Sequence, residues 1–149
     1  MPSGIYLLGS ASGGRRNLMT HSLAMQVSVQ PKLVAVAVRR DALTHTLVDE
    51  GGAFSLCFLR REDRALARAF TKPAQEGPGP GMLGGAEVRT GTTGAPLLCR
   101  AAAWLECEVR QRVAGGDHTL FIGEVVDCAA PDEDAPVLRM EDTRLNYGG

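Results

Sequence analysis

Between Leu105 and Val126 the chain reads as a β-hairpin. Leu105, Cys107 and Val109 alternate with Glu106, Glu108 and Arg110, which is the period-two pattern of a strand with one dry face and one wet face. Gly115-Gly116 supplies a tight turn, and Thr119–Val126 returns as the partner strand. Leu33-Val-Ala-Val-Ala-Val38 is an unbroken run rich in β-branched residues, the composition of a strand buried on both faces. Ala53–Leu59 reads the same way. Ile5–Leu8 is a short apolar run, and Val137–Met140 a last short strand. Helical signals are few. Asp41 caps a segment Ala42–Glu50 that Gly51-Gly52 closes. Glu62–Phe70 gathers Ala65, Leu66, Ala69 and Phe70 on one side and Arg64 and Arg68 on another. Parallel strands need crossovers of ten or more residues, and most of these strands lack them. About seven strands with two short helices therefore predict a mainly β chain, folded as a closed or half-closed antiparallel barrel.

At 149 residues the chain is long enough for one domain, 1–149, with a real core; a chain of this size buries roughly 68–70% of its unfolded surface. Residues 141–149 read as an extended polar tail. Sixteen Lys and Arg against seventeen Asp and Glu leave a net charge of −1, so a nucleic-acid binder is disfavoured, and the aromatic residues do not interleave with Lys or Arg. No apolar run approaches the ~18 residues of a membrane span. The opening MPSGIYLLGSASGG lacks a basic stretch ahead of its short apolar run, so no signal peptide is expected. Cys57, Cys99, Cys107 and Cys128 show no CxxC spacing. They read foremost as reduced, buried thiols, ahead of a disulfide or a metal site, and place the chain in the cytoplasm.

Charge is uneven along the chain. Residues 1–40 carry Arg15, Arg16, Lys32, Arg39 and Arg40 and no acid, while the last nineteen carry five acids against Arg139 and Arg144. These are either solvated faces or, for the basic half, the surroundings of an anionic ligand such as a phosphate. Thr71–Gly85 holds three prolines and five glycines, so it is a long loop of the kind that often carries function. No GxGxxG, GxxxxGK[ST], GxSxG or HExxH motif occurs. With no hydrolase or metal site legible, an enzyme built on this chain depends on a bound cofactor for its reactive atoms. His21, His45 and His118 each lie among small polar residues and read first as ordinary hydrogen-bonded histidines. Asn17, Thr20 and Ser22 follow a Gly-rich turn and can bond the polar edge of a planar heterocycle. Thr44, with Arg39 and Arg40 near a helix start, suits a phosphate; the competing reading is that Asp41 merely caps that helix.

The ordered segments Asn17-Leu-Met-Thr-His-Ser22, Gln26–Val38, Thr44-His-Thr-Leu-Val48, Gly52–Leu59, Gly94–Leu98, Trp104–Val109 and Gly116–Asp127, with the ending Leu138–Gly149, resemble the flavin reductase-like family. The resemblance implies an FMN-binding split barrel and a homodimer, with flavin (FMN, or FAD) at or near the subunit interface. Met19, Thr20 and Ser22 would lie along the isoalloxazine and ribityl chain, with Asn17 in the same segment. Ser28 would sit near the ribityl-phosphate arm, Val38 and Arg39 would contact flavin through the backbone, and Thr44 and His45 would lie at the phosphate. His118, in the Gly116-Asp117-His118 motif, would face the nicotinamide of NADH or NADPH and is the candidate catalytic residue. Lys32, Cys57 and His21 depart from the family pattern. The implied function is an NAD(P)H-dependent flavin reductase that supplies an oxygenase, such as a flavin-dependent monooxygenase, or another acceptor. The alternatives are an electron-transfer or non-catalytic FMN-binding protein without productive NAD(P)H binding, and a small β-barrel interaction module without cofactor.

Overall fold

The structure is a computed structural model and describes residues 1–146. Ten strands and two helices follow one another. β1 (Tyr6–Ser12) and β2 (Arg15–His21) form a hairpin. Its turn is Gly13-Gly14, with φ of +58° and +79°, a left-handed pair that only glycine adopts without strain. β3 (Ala24–Ser28), β4 (Leu33–Arg39), α1 (Leu43–Gly51) and β5 (Ala53–Phe58) come next. α2 (Arg64–Ala69) leads to three short strands, β6 (Met82–Leu83), β7 (Ala86–Thr90) and β8 (Pro96–Leu98). The long hairpin of β9 (Ala103–Gly115) and β10 (His118–Ala129) completes the sheet.

Seven strands form one antiparallel sheet in the order β2-β1-β5-β9-β10-β4-β3. β2 and β3 are consecutive in the chain, with only Ser22 and Leu23 between them, yet they occupy opposite edges. The sheet must therefore curl until its edges meet at Ser22-Leu23 without pairing, and the result is a split barrel. Its interior holds Leu8, Val36, Val38, Phe54, Leu56, Cys107 and Phe121. The outer face of β1, β2 and β5 packs Leu7, Leu18 and Cys57 against α2 and the small sheet β6-β7-β8 through Phe70, Leu83, Leu97 and Leu98. β1 and β5 are thus buried on both faces, as the apolar run of Ala53–Leu59 predicts. No helix among the described residues is long and apolar enough to cross a membrane.

Several local expectations change. The hairpin turn is Gly116-Asp117 and not Gly115-Gly116, and only Gly116 has a positive φ, +59°. Glu106, expected on a wet face, is fully buried, because the loop after β7 folds over it. The amides of Thr92 and Thr93 donate to its carboxylate at 2.9 and 3.0 Å, and the Thr93 hydroxyl donates at 2.6 Å. Asp41 does not cap α1; its carboxylate is taken by Arg39 at 2.7 Å, and Ala42 stands at the helix start without a side-chain cap. α2 is shorter than the Glu62–Phe70 pattern. Val137 and Arg139 make isolated bridges to Arg60 and Gly4 in place of a strand, and a 3-10 turn follows at Met140–Asp142. The four cysteines are free, but only Cys57 and Cys107 are buried; Cys99 and Cys128 are exposed. The end of the expected tail, residues 147–149, lies outside the described residues.

Candidate functional site

Where the barrel splits, β2 leaves one edge of the sheet and β4 ends near the other. A groove of about 250 Å³ opens there. Its walls are apolar: Ile5, Met19, Ala37, Val38 and Ala42, with Met140 and Leu145 of the C-terminal segment across it. Its polar atoms come from Thr20, His21, Ser22, Arg39, Thr71 and Asn146.

The unpaired edge of the sheet is what holds these residues in place. The Thr20 amide donates to the Phe70 carbonyl at 2.9 Å, and the Thr20 hydroxyl donates to the Ala67 carbonyl at 2.6 Å. The end of α2 thereby satisfies the backbone that β2 would otherwise leave bare. The Ala37 amide donates to the Leu23 carbonyl at 3.0 Å, which ties the far side of the split to β4. Arg16 clamps the long loop 71–85. It donates to both Glu76 oxygens, to the Pro80 carbonyl at 2.7 Å and to the Met82 carbonyl at 3.0 Å. That guanidinium holds the Glu76 carboxyl below the usual range, and the loop so fixed begins at Thr71 on the groove's rim.

The turn Gly116-Asp117 brings His118 to the groove's β4 end, since His118 pairs with Arg39 across β10 and β4 and the Arg40 amide donates to the Asp117 carbonyl at 3.0 Å. The His118 ring nitrogen Nδ1 lies 2.6 Å from the Asp117 carboxylate, and this bond holds the Asp117 carboxyl below the ordinary range. Burial, with a smaller contribution from nearby His118, pushes the pKa of His21 on β2 down to about 4.

The groove thus unites Met19, Thr20, Ser22, Val38 and Arg39 among the residues nominated from sequence, with His118 at its end. The others lie elsewhere. Asn17 and Thr44 are buried and bonded to each other at 3.0 Å, while the Asn17 carbonyl oxygen accepts from the Ala74 amide at 2.8 Å; the pair braces α1 and the long loop against β2. His45 packs its ring on Phe121 and shares a 2.8 Å hydrogen bond with the Thr119 hydroxyl. Ser28 pairs with Leu33, at the end of β4 opposite to Val38 and Arg39. Sequence reasoning nominated neither His21 nor the C-terminal Met140 and Leu145. His21 lies inside the Thr20–Ser22 segment, so its position carried a signal, whereas nothing local in Met140 or Leu145 announces that they fold back over β2. A second cavity of about 290 Å³ opens at the Lys32 end of β4, lined by Tyr6, Leu56, Phe58, Leu105 and Val125. Among the described residues no cluster of three or more His, Cys, Asp or Glu is arranged to hold a metal ion.

Comparison with known proteins adds four likenesses. A family model described as a flavin reductase like domain matches residues 1–148. The chain is 34% identical over 149 residues to the ferric-chelate reductase (NAD(P)H) of Archaeoglobus fulgidus, covering 98% of this chain and 86% of that protein. Among solved structures it is similar to the styrene monooxygenase flavin reductase from Pseudomonas putida S12, at 30% identity with a TM-score of 0.75 over 89% of this chain and 83% of that one. The NADH:FAD oxidoreductase SgcE6 of Streptomyces globisporus is alike at 29% identity and a TM-score of 0.77, over 87% of this chain and 71% of that one.

Proposed function

Because this chain belongs to the flavin reductase like family, we propose that it is an NAD(P)H-dependent flavin reductase whose flavin lies in the groove at the split of the barrel. The observation that carries the reading is the groove itself, where the unpaired sheet edges leave apolar walls with a rim of polar groups. Such walls fit a planar ring system, and the rim supplies the few placed polar groups that orient one. When bound, flavin (FMN, or FAD) supplies the two-electron acceptor for a hydride from the dihydronicotinamide of NADH or NADPH, balanced by one proton.

The chain's own residues bind and align. Met19 and Val38 wall the ring, and Ser22 and Thr20, the latter with its hydroxyl hydrogen already given to the Ala67 carbonyl, line its edge. Arg39 is held in place by Asp41 on the rim and offers positive charge to an anionic ligand. His118, oriented by Asp117, stands where the nicotinamide would approach and is the candidate residue for positioning it. Met140 and Leu145 shield one side from water. Alignment of two stacked rings can supply ~7–11 kcal/mol of a barrier, so hydride transfer needs no side chain to act as an obligatory acid or base. Asn17 and Thr44 serve as braces behind this site. Ser28 and His45 lie off the groove, and a phosphate arm reaching either must leave it.

The groove's openness supports a homodimer in which a second copy covers the ligand; light scattering at micromolar concentration should return twice the chain mass, and the monomer mass contradicts it. Reduced flavin would pass to a flavin-dependent monooxygenase or another acceptor; the names of the relatives, one a monooxygenase component and one a ferric-chelate reductase, support both. Four free cysteines support a cytoplasmic location. Burial pushes the thiols of Cys57 and Cys107 up to about 12, so both remain inert core groups. The test is anaerobic mixing of flavin-loaded protein with NADH and with NADPH. Catalytic loss of the oxidised flavin absorbance is expected with at least one donor; absorbance that stays constant with both refutes the reading.

A further inference from the structure

β2 ends on a histidine that hydride transfer leaves without a task. His21 lines the groove between Thr20 and Ser22 and is 4% exposed. Its Nε2 lies 3.1 Å from the Leu23 carbonyl. A carbonyl oxygen only accepts, so Nε2 carries the hydrogen and donates it. Burial and the nearby His118 keep the ring neutral; Arg39 is the other basic group on this groove, paired with Asp41. In a neutral ring with its hydrogen on Nε2, Nδ1 can only accept. Among the described residues the ring's hydrogen bond is the one Nε2 makes to the Leu23 carbonyl. Nδ1 is not sealed in the core, for the one sealed and unsatisfied side-chain atom among those residues is Ser10 Oγ. An acceptor on a nearly buried residue that lines a ligand groove is satisfied at least cost by a donor from the ligand.

Around His21 the groove is walled by Ile5, Met19, Ala37, Val38 and Ala42, surroundings suited to a flat ring and not to a polyhydroxyl chain. An oxidised isoalloxazine ring carries a single N–H, at N3, and its other heteroatoms only accept. We propose that His21 is a specificity-determining residue whose Nδ1 receives the N3–H of the flavin ring. This rests on the flavin-reductase reading above and deepens it.

The test titrates FMN and its N3-methyl derivative into wild-type protein and into His21→Leu, read by quenching of flavin fluorescence. Methylation removes the donor and also adds bulk; the bulk penalises both proteins, and the lost hydrogen bond penalises only the wild type. The wild type should therefore prefer FMN by roughly threefold to tenfold more than the variant does, the range of one net hydrogen bond. Equal preference in the two proteins overturns the proposal. Lumiflavin, which lacks the ribityl chain, closes the other route. If His21→Leu weakens FMN but leaves lumiflavin unaffected, Nδ1 serves a ribityl hydroxyl and the proposal fails. Nitrogen-15 spectra of the histidine rings need no variant. They should place the His21 hydrogen on Nε2, with the Nδ1 resonance moving on addition of FMN and not of the N3-methyl compound. Hydrogen on Nδ1 overturns the proposal even if His21→Leu does not fold. Wild-type protein that binds no flavin at all removes the functional reading together with this one, whereas flavin binding without the preference removes this one alone.

Discussion

His21 also shows how a single side chain ties the groove to the stability of the fold. Its ring is buried beside Leu23, and its pKa falls from 6.5 to about 4. The unfolded chain therefore binds a proton between these values while the folded chain does not. Stability from this group is complete above pH 6.5 and declines as pH falls toward 4, by an amount of roughly 3 kcal/mol for a depression of this size. Carboxyls held low by their partners, such as Asp117, Glu76 and Asp142, act in the same sense but at lower pH, below the ordinary carboxylate range. Urea unfolding followed from pH 7 to pH 4.5 should show the midpoint dropping in wild type and a flatter curve in His21→Leu. Parallel curves for the two proteins would mean that His21 titrates normally. Glu106 carries a different lesson. Its alternation with Leu105 and Cys107 implies a wet face, yet the residue is dry. Period-two patterning reports which side of a strand a residue is on, not whether a distant loop will later cover that side. The covering loop has to come very close, because a Cβ on Gly91 would lie 2.2 Å from a Glu106 oxygen.

Among the elements, the β9–β10 hairpin shows most plainly what local sequence can reveal. Its existence, partner strand and turn region follow from alternation and glycines, since hairpin contacts are close in sequence. The exact turn moved by one residue because Asp117 and not Gly115 completes it. Inside the barrel β10 passes Phe54 so closely that a Cβ on Gly123 would lie 2.7 Å from the Phe54 ring and 2.6 Å from the Cys107 Cβ. Gly123→Val should therefore overpack the interior and cost ~1–3 kcal/mol, read as a lower urea midpoint with the slope unchanged. Unchanged stability would show that the interior has room that the packing denies. The helix starts were harder to read. Asp41 has the residue type of a cap, but Arg39 two residues away competes for its carboxylate and wins with two hydrogen bonds.

For the whole molecule, the decisive feature is that consecutive strands end on opposite edges of one sheet. No window of sequence states this; it follows from the order β2-β1-β5-β9-β10-β4-β3. The Thr20–Ser22 and Val38-Arg39 halves of the groove could be nominated separately, because each lies on a short recognisable segment. Their meeting with His118 and with the C-terminal Met140 and Leu145 depends on contacts far apart in the chain. The antiparallel register of β3 on β4 separates Ser28 from Val38, although both lie on paired strands. One placement is decisive, a flavin ring in the groove at the split. A crystal structure of the protein with FMN tests it most directly. Ring density is expected between His21 and Val38; density for the ring in the Lys32–Phe58 cavity, with the split groove holding only water, would contradict it.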